Sequence, residues 1–493
     1  MDFGLSHRAG RAGDVGSGGM NLWAIVPELI VACLCLLLVP VAAWVHGVWT
    51  RIPMAAALIG LAGAMIFTAR MLLWGPVSVF DGTYAVDGLG TVAKLLIEAG
   101  AFITILLAGS YFDGTVQAAH APVAILFATL GAMTLTSSMD LALIILFLEM
   151  MSMASYMLAA LVRSDGRALE AALKYFLFGA VALAIMAYGL TFLYGLTGSL
   201  DLRVIGQALT GADRAWTAVA LVVILAGYGF EITMAPFHFW APDVFSGSTA
   251  PVAGFVSVVP KVAAMVGLLR LLSYTYRGDL ANWPTLIAVL AALTMTLGNL
   301  LALRQTGLKR LLAYSTIAQA GYMLLAVATV GRIDRALPAA VYYLAAYLFM
   351  NLGAFAFASQ LERAIGTDRL DTLPGLGRNS PGAAACLALF FFSLAGIPPL
   401  AGFAGKILLL EAAMAGGLTW LAVIAAANMV VALYYYVAVI SKLYLEPPAY
   451  SYRLQPGIGY TVTYALTLAG TLALGILPGS GLDVVSLSSK LLR

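Results

Sequence analysis

The chain has 493 residues, of which 62% are hydrophobic and only 10% charged, against roughly 45–50% apolar and about 25% charged in soluble domains. That composition excludes a soluble globular enzyme and a disordered chain. A formal net charge of +3 from 26 basic and 23 acidic residues, with no basic patch, excludes a nucleic-acid binder. A spanning helix needs about 20 mostly apolar residues, and the apolar runs here are continuous rather than alternating as in an outer-membrane barrel. The chain therefore reads as an all-α polytopic membrane protein. Cys33, Cys35 and Cys386 form no CxxC, and His7, His46, His120 and His238 are scattered, so no iron–sulfur, zinc, haem or copper site is signalled.

Residues 1–19 are polar and Gly-rich and read as a disordered, dispensable tail. The apolar run that follows Met20 is too long for a signal-peptide core of about 7–15 residues and lacks a clear cleavage site. It reads as an uncleaved first span. Fourteen spans follow the apolar pattern: 22–45, 53–73, 88–109, 120–138, 141–162, 168–195, 216–241, 249–272, 283–303, 309–330, 336–361, 379–413, 418–443 and 458–478. Two of them are expected to be broken. The seventh carries Pro236 and is followed directly by Pro242, and the twelfth carries Pro398 and Pro399 between Gly396 and Gly402. Proline removes a backbone donor and clashes with the preceding turn. At membrane depth such backbone survives only inside protein or beside water.

The broken spans are five apart, which predicts an internal repeat. Ala154-Ser-Tyr156-Met-Leu-Ala-Ala-Leu161 is similar to Ala320-Gly-Tyr322-Met-Leu-Leu-Ala-Val327, and Glu170-Ala-Ala-Leu-Lys174-Tyr175 to Pro338-Ala-Ala-Val-Tyr342-Tyr343. Units of five helices must be inverted, and paired broken helices in inverted repeats are a transporter signature. The expected organisation is a tail (1–19), three amino-terminal spans (20–119), a first repeat of spans 4–8 (120–276), a second of spans 9–13 (283–445), and a final span with its tail (446–493).

The charges inside the spans are selective. By these boundaries all nineteen arginines fall in loops, tails or span ends, whereas four of seven lysines, Lys94, Lys174, Lys261 and Lys406, lie within spans. Five of eight glutamates do too: Glu28, Glu98, Glu149, Glu231 and Glu411. A charge at the bilayer centre costs at least ~2.5–3.5 kcal/mol. Arginine is always charged, while a buried lysine can give up its proton, so this choice of residues fits proton handling better than static pairing. Several positions carry a structural alternative. Glu28 sits in a first helical turn, where the dipole favours an anion. Lys94 and Glu98 are spaced for an intrahelical pair. Glu411 lies near a span end, and His238 follows a helix break as either a satisfied buried histidine or a relay. Excluding the tails, the loop cations divide 7 against 11, which puts the termini outside.

Three sets of residues then carry a resemblance. They are Pro236-Phe-His-Phe-Trp-Ala-Pro-Asp-Val-Phe-Ser-Gly-Ser-Thr-Ala-Pro-Val252 with Pro260-Lys261, Gln305-Thr-Gly-Leu-Lys-Arg-Leu-Leu-Ala-Tyr-Ser-Thr-Ile317 with Gly321-Tyr322, and Met350-Asn-Leu-Gly-Ala-Phe355 with Gly396-Ile-Pro-Pro-Leu-Ala-Gly-Phe-Ala-Gly-Lys406. From about residue 20 onward the chain resembles subunit N of respiratory complex I. The resemblance implies an antiporter-like proton-translocating subunit of an NADH:quinone oxidoreductase in the inner (plasma) membrane, with its termini on the outer, periplasmic face. It implies no redox centre or other cofactor in this chain. NAD, FMN and iron–sulfur clusters would belong to partner subunits, and quinone would be bound by the complex but not by this chain. The resemblance carries Glu149, Lys174, Lys261 and Lys406 over as relay residues; the expected relay adds Glu231 to these, and the reading of the residues themselves leaves His238 and Glu411 as further candidates.

One departure matters. Where the family carries Phe-Lys in the seventh span, this chain has Phe230-Glu231. The usual Glu–Lys pair between spans five and seven is then replaced by two carboxylates that face one another or share Lys174. Two other readings stand beside the first. One is a homologous subunit of a membrane-bound hydrogenase, a ferredoxin- or F420-dependent relative, or a multisubunit cation/proton antiporter. The other is a non-translocating structural subunit.

Overall fold

The structure is a computed structural model that describes residues 22–276, 282–448, 452–455, 457–479, 481–483 and 486; the tail expected over 1–19 lies outside them. The helices in chain order are α1 (Val26–Trp44), α2 (Arg51–Met71), α3 (Gly88–Tyr111), α4 (Gln117–Ser137), α5 (Leu141–Ala159), α6 (Gly166–Thr197), α7 (Leu202–Ala208), α8 (Arg214–Glu231), α9 (Trp240–Gly247), α10 (Ala250–Thr275), α11 (Trp283–Ala302), α12 (Leu308–Val327), α13 (Ala336–Ile365), α14 (Leu376–Asn379), α15 (Pro381–Ala395), α16 (Ala401–Ala415), α17 (Thr419–Tyr444) and α18 (Ile458–Ile476). Among the described residues, twelve helices are long and apolar enough to cross a membrane.

Local chemistry sets the helix ends. Asp87, Asp140, Asp165, Asp201 and Asp213 each accept a hydrogen bond from a backbone N–H in the first turn of the helix that follows. These aspartates satisfy donors that have no intrahelical partner, which is why aspartate concentrates at span ends. Gly198 and Gly366 close α6 and α13 at φ +67° and +71°, a conformation that glycine enters without a Cβ penalty.

The bundle is layered from inside out. Helix α10 is buried continuously from Ala250 to Leu272, and α13 and α4 are buried over most of their apolar length. Helix α10 packs on α3, α4 and α13, and α13 packs in turn on α15, α16 and α18. The peripheral helices turn residues such as Leu36, Ile59, Phe178 and Val430 outward, as a lipid solvent requires. Two small elements were not foreseen in the loops. The antiparallel strands β1 (Val77–Val79) and β2 (Tyr84–Val86) pair Val77 with Val86 and Val79 with Tyr84, and the seven-residue α7 lies in the connection 196–215.

The amino-terminal charges pair differently from the sequence expectation. Lys94 does not bridge to Glu98 one turn on. Its Nζ lies 2.7 Å from Glu28 Oε1 on α1, and Glu28 also accepts from the Tyr84 hydroxyl of β2 at 2.7 Å. Glu98 instead accepts from Thr68 of α2 at 2.8 Å. An i,i+4 spacing permits a pair, but α1, α2 and the hairpin bring competing partners onto the same face of α3. One arginine near a span end is also fully buried. Arg270 on α10 donates from both terminal nitrogens to Asp87 at 2.8 Å and from Nε to Thr136 O at 2.9 Å. Removing one partner of such a pair costs roughly 3–5 kcal/mol. Arg270→Met is accordingly expected to lower the thermal stability of the purified protein by an effect of that order. An unchanged melting midpoint would contradict this.

Candidate functional site

Both expected breaks exist, and each ends on a buried lysine. Helix α8 stops at Glu231, five residues before Pro236, and the chain resumes as α9 at Trp240. Helix α15 stops at Ala395, before Pro398 and Pro399, and α16 begins at Ala401. A broken helix exposes carbonyls and N–H groups that need partners where no bulk water is present. At the first break Lys261 of α10 donates its Nζ to Ile232 O at 3.1 Å and to the Thr233 hydroxyl. Trp240 Nε1 takes Phe230 O at 3.0 Å, and Ala235 N donates to Thr294 of α11 at 3.0 Å. At the second break Lys406 of α16 donates to Leu394 O at 2.7 Å and Ala395 O at 3.2 Å. Its Nζ stands 4.5 Å from the centre of the Tyr322 ring, within cation–π range.

The carboxylates gather beside the first lysine. Glu231 is buried and accepts from Ser152 Oγ of α5 at 2.5 Å. Glu149 lies one turn before Ser152 on the same helix, half-buried, with Oε2 unpartnered among the described residues. Lys261 reaches the same break, because Ile232, whose carbonyl it binds, directly follows Glu231. Ser152 thus ties α5, the helix of Glu149, to Glu231 at the end of α8, and Lys261 of α10 binds the residue that follows.

Lys174 is not part of that group. Its side chain is 39% exposed and bridges to Glu170 at 2.8 Å and to Asp243 of α9 at 2.9 Å. Asp243 also binds Arg310 of α12 at 2.9 Å. The expectation that Lys174 would serve the glutamates fails because Asp243, seven residues beyond Pro236, is carried onto α6 by the broken helix. Glu411 is also peripheral, half-exposed and paired with Arg335 at 2.5 Å. His238 is buried in the break, and among the described residues its Nδ1 has no hydrogen-bond partner.

A file of neutral polar groups lies between the two lysines. Ser257 sits one turn before Lys261 on α10, and its Oγ accepts from Asn351 Nδ2 of α13 at 2.7 Å. Tyr347 of α13 donates toward Ser257 O and Thr316 Oγ1 of α12, both at 3.0 Å. One turn further on α12, Gln319 accepts from the Tyr343 hydroxyl and donates to Leu394 O at 3.2 Å, the carbonyl that Lys406 also binds. The sequence reading missed these residues because it weighed only charges. Asn351 and Gln319 were legible in principle: a primary amide inside an apolar span is costly unless it is hydrogen-bonded.

Comparison with known proteins agrees with this geometry. Residues 138–431, which include both breaks and both buried lysines, match the family described as NADH:quinone oxidoreductase/Mrp antiporter, transmembrane. NADH-quinone oxidoreductase subunit N of Sphingopyxis alaskensis is 40% identical over 395 residues, covering 79% of this chain and 82% of that protein. A chain of respiratory complex I from Thermus thermophilus with bound Aureothin superposes with a TM-score of 0.80 at 36% identity, covering 94% of this chain and 99% of that one. A chain of the Mrp complex from Dietzia sp. reaches a TM-score of 0.84 at 21% identity, over 95% of this chain and 97% of that one, which speaks for the shared fold alone. With the breaks, the lysines and the motifs around them all in place, the chain belongs to the NADH:quinone oxidoreductase/Mrp antiporter family of membrane subunits, on the side of the subunit N proteins of complex I.

Proposed function

We propose that protons cross this subunit along the file between its two helix breaks. The chain is a proton-translocating, multi-pass membrane subunit of a complex I-type NADH:quinone oxidoreductase, and other subunits of that complex are its partners. Protons reach Glu149 and Glu231 from one side, pass to Lys261, move along Ser257, Asn351, Tyr347, Thr316 and Gln319, and leave by way of Lys406. The observation that carries this reading is a pair of hydrogen-bonded polar clusters between the lysines, Asn351–Ser257–Tyr347–Thr316 beside the α10 turn of Lys261 and Tyr343–Gln319–Leu394 O beside Lys406, which meet one turn apart on α12.

The twelve long apolar helices become fourteen spans when α12 and the broken pair α15–α16 are added. Spans 4–8 and 9–13 then form two inverted units with a break in each, flanked by residues 20–119 and 446–493. The termini face outward from the inner (plasma) membrane. The chain holds no redox centre; NAD, FMN, iron–sulfur clusters and quinone belong to the partners, which supply the free energy. Moving one proton against the potential costs ~2.3 kcal/mol per 100 mV, a demand that changing separations among Glu149, Glu231 and Lys261 can meet in a low-dielectric site.

The test is to interrupt the file without touching a charge. Asn351→Leu keeps the volume and removes the amide that donates to Ser257. Losing one buried hydrogen bond is worth ~0.5–1.5 kcal/mol, so proton pumping by the reconstituted complex is expected to fall about two- to tenfold with assembly retained. Pumping at the wild-type rate would overturn the route.

A further inference from the structure

We infer that the cleft between α2 and α18 is a binding site for the phosphate headgroup of an anionic phospholipid. Helices α2 and α18 both pack on α3, and between them opens a cavity of about 750 Å³. It is lined by the first residue of α2, the last turn of α3, the last turns of α13 and the first residues of α18. These are helix ends at one end of the bundle, where a span meets the headgroup layer. The cavity takes no part in the file between the lysines and stands independently of the proton route.

Its chemistry is that of an anion receptor with an apolar exit. Two arginines line it, Arg51 and Arg363. Arg51 is oriented by Asp113, which accepts from Nε and Nη2 at 3.0 Å each. That fork neutralises one charge and leaves Nη1 directed elsewhere. Arg363 is exposed and, among the described residues, makes no hydrogen bond or ion pair. The cleft therefore carries one uncompensated guanidinium beside a second that is held rigid. Guanidinium binds phosphate oxygens through paired, directional donors. Ser110 also lines the cavity, and at Gly459 a Cβ would collide with Ser110 Oγ, so glycine there keeps α18 close to α3.

The walls decide which phosphate. Ile458 and Val462 line the cavity, and Leu466, one turn further along α18, is exposed in the same direction of travel. Met54 and Leu106 line it from α2 and α3. A free phosphate ion would gain nothing from these apolar groups, whereas an acyl chain running from the headgroup would cover them. Basic pockets between transmembrane helices are a recurrent form of anionic-lipid site. A helix of a neighbouring subunit would cover the apolar wall but would leave Arg363 unpaired unless it brought an acid.

The test uses the intact complex that contains this chain. Bound phospholipid is counted by native mass spectrometry in the wild type and in Arg363→Gln, Arg363→Lys and Arg51→Gln. The delipidated complexes are then reconstituted into vesicles of phosphatidylcholine alone or phosphatidylcholine with phosphatidylglycerol, and recounted. One tightly held anionic phospholipid per complex is expected in the wild type, lost in Arg363→Gln, retained in Arg363→Lys, and regained only from vesicles containing phosphatidylglycerol. Three results would overturn the proposal. These are an unchanged lipid count in Arg363→Gln, rebinding of phosphatidylcholine as readily as phosphatidylglycerol, or loss of a neighbouring subunit with no change in lipid.

Discussion

Lys406→Ala and Lys261→Ala are each expected to reduce proton pumping by at least about tenfold while the complex still assembles. In both cases the deleted group is the ammonium that satisfies the free carbonyls of a broken span: Leu394 and Ala395 for Lys406, Ile232 with the Thr233 hydroxyl for Lys261. Leaving those oxygens without a partner costs roughly 1–3 kcal/mol each, which water entering the vacated space would reduce. The decisive comparison is with arginine. Lys406→Arg and Lys261→Arg keep a cation at the break, but a guanidinium stays protonated throughout the physiological range. If the lysines act by releasing protons, the arginine variants pump no better than the alanine variants. If they act only as structural plugs, the arginine variants recover. Coupled NADH oxidation, membrane potential and assembly by native gel, measured together, separate the two outcomes. Normal pumping in both alanine variants would remove the lysines from the route.

Glu231→Gln is expected to lower pumping by about tenfold with little change in stability. Glu231 is the last residue of α8, accepts from Ser152 of α5, and directly precedes Ile232, whose carbonyl Lys261 binds; the sequence resemblance expects a lysine at this position. Glutamine keeps the size of the side chain and can still accept from Ser152, so the variant removes titration more than packing. The ~1.4 kcal/mol equivalent to tenfold is modest for a charge–charge interaction at short range in a low-dielectric site. A second variant sharpens the result: Glu231→Lys introduces the lysine that the sequence resemblance expects and would place a second ammonium group beside Lys261 at the break. If the Glu231 carboxylate has become the working partner of Lys261, Glu231→Lys pumps worse than Glu231→Gln. Unchanged pumping in Glu231→Gln would show that this route runs without a titratable group at the end of α8.

A one-dimensional reading captured what depends on the cost of placing a group in lipid. Apolar runs long enough to span, prolines that must interrupt them, and lysines too expensive to bury without a purpose are all properties of single residues and their immediate neighbours. The class of protein, the breaks near Pro236 and Pro398, and the candidacy of Lys261 and Lys406 were therefore legible. The motifs around those residues gave the family resemblance as well. Only the tertiary structure decided which groups meet. Lys94 turned from Glu98 to Glu28 because α1 and β2 close over that face of α3. Lys174 turned from the glutamates to Asp243 because the broken helix carries α9 back onto α6. The file through Ser257, Asn351, Tyr347, Thr316 and Gln319 draws on three helices, α10, α13 and α12, whose polar residues are each unremarkable along the chain. The physical reason is common to all three cases. Hydropathy registers the penalty of burying a polar group, whereas relief of that penalty comes from partners distant in sequence, and helix packing alone chooses among them.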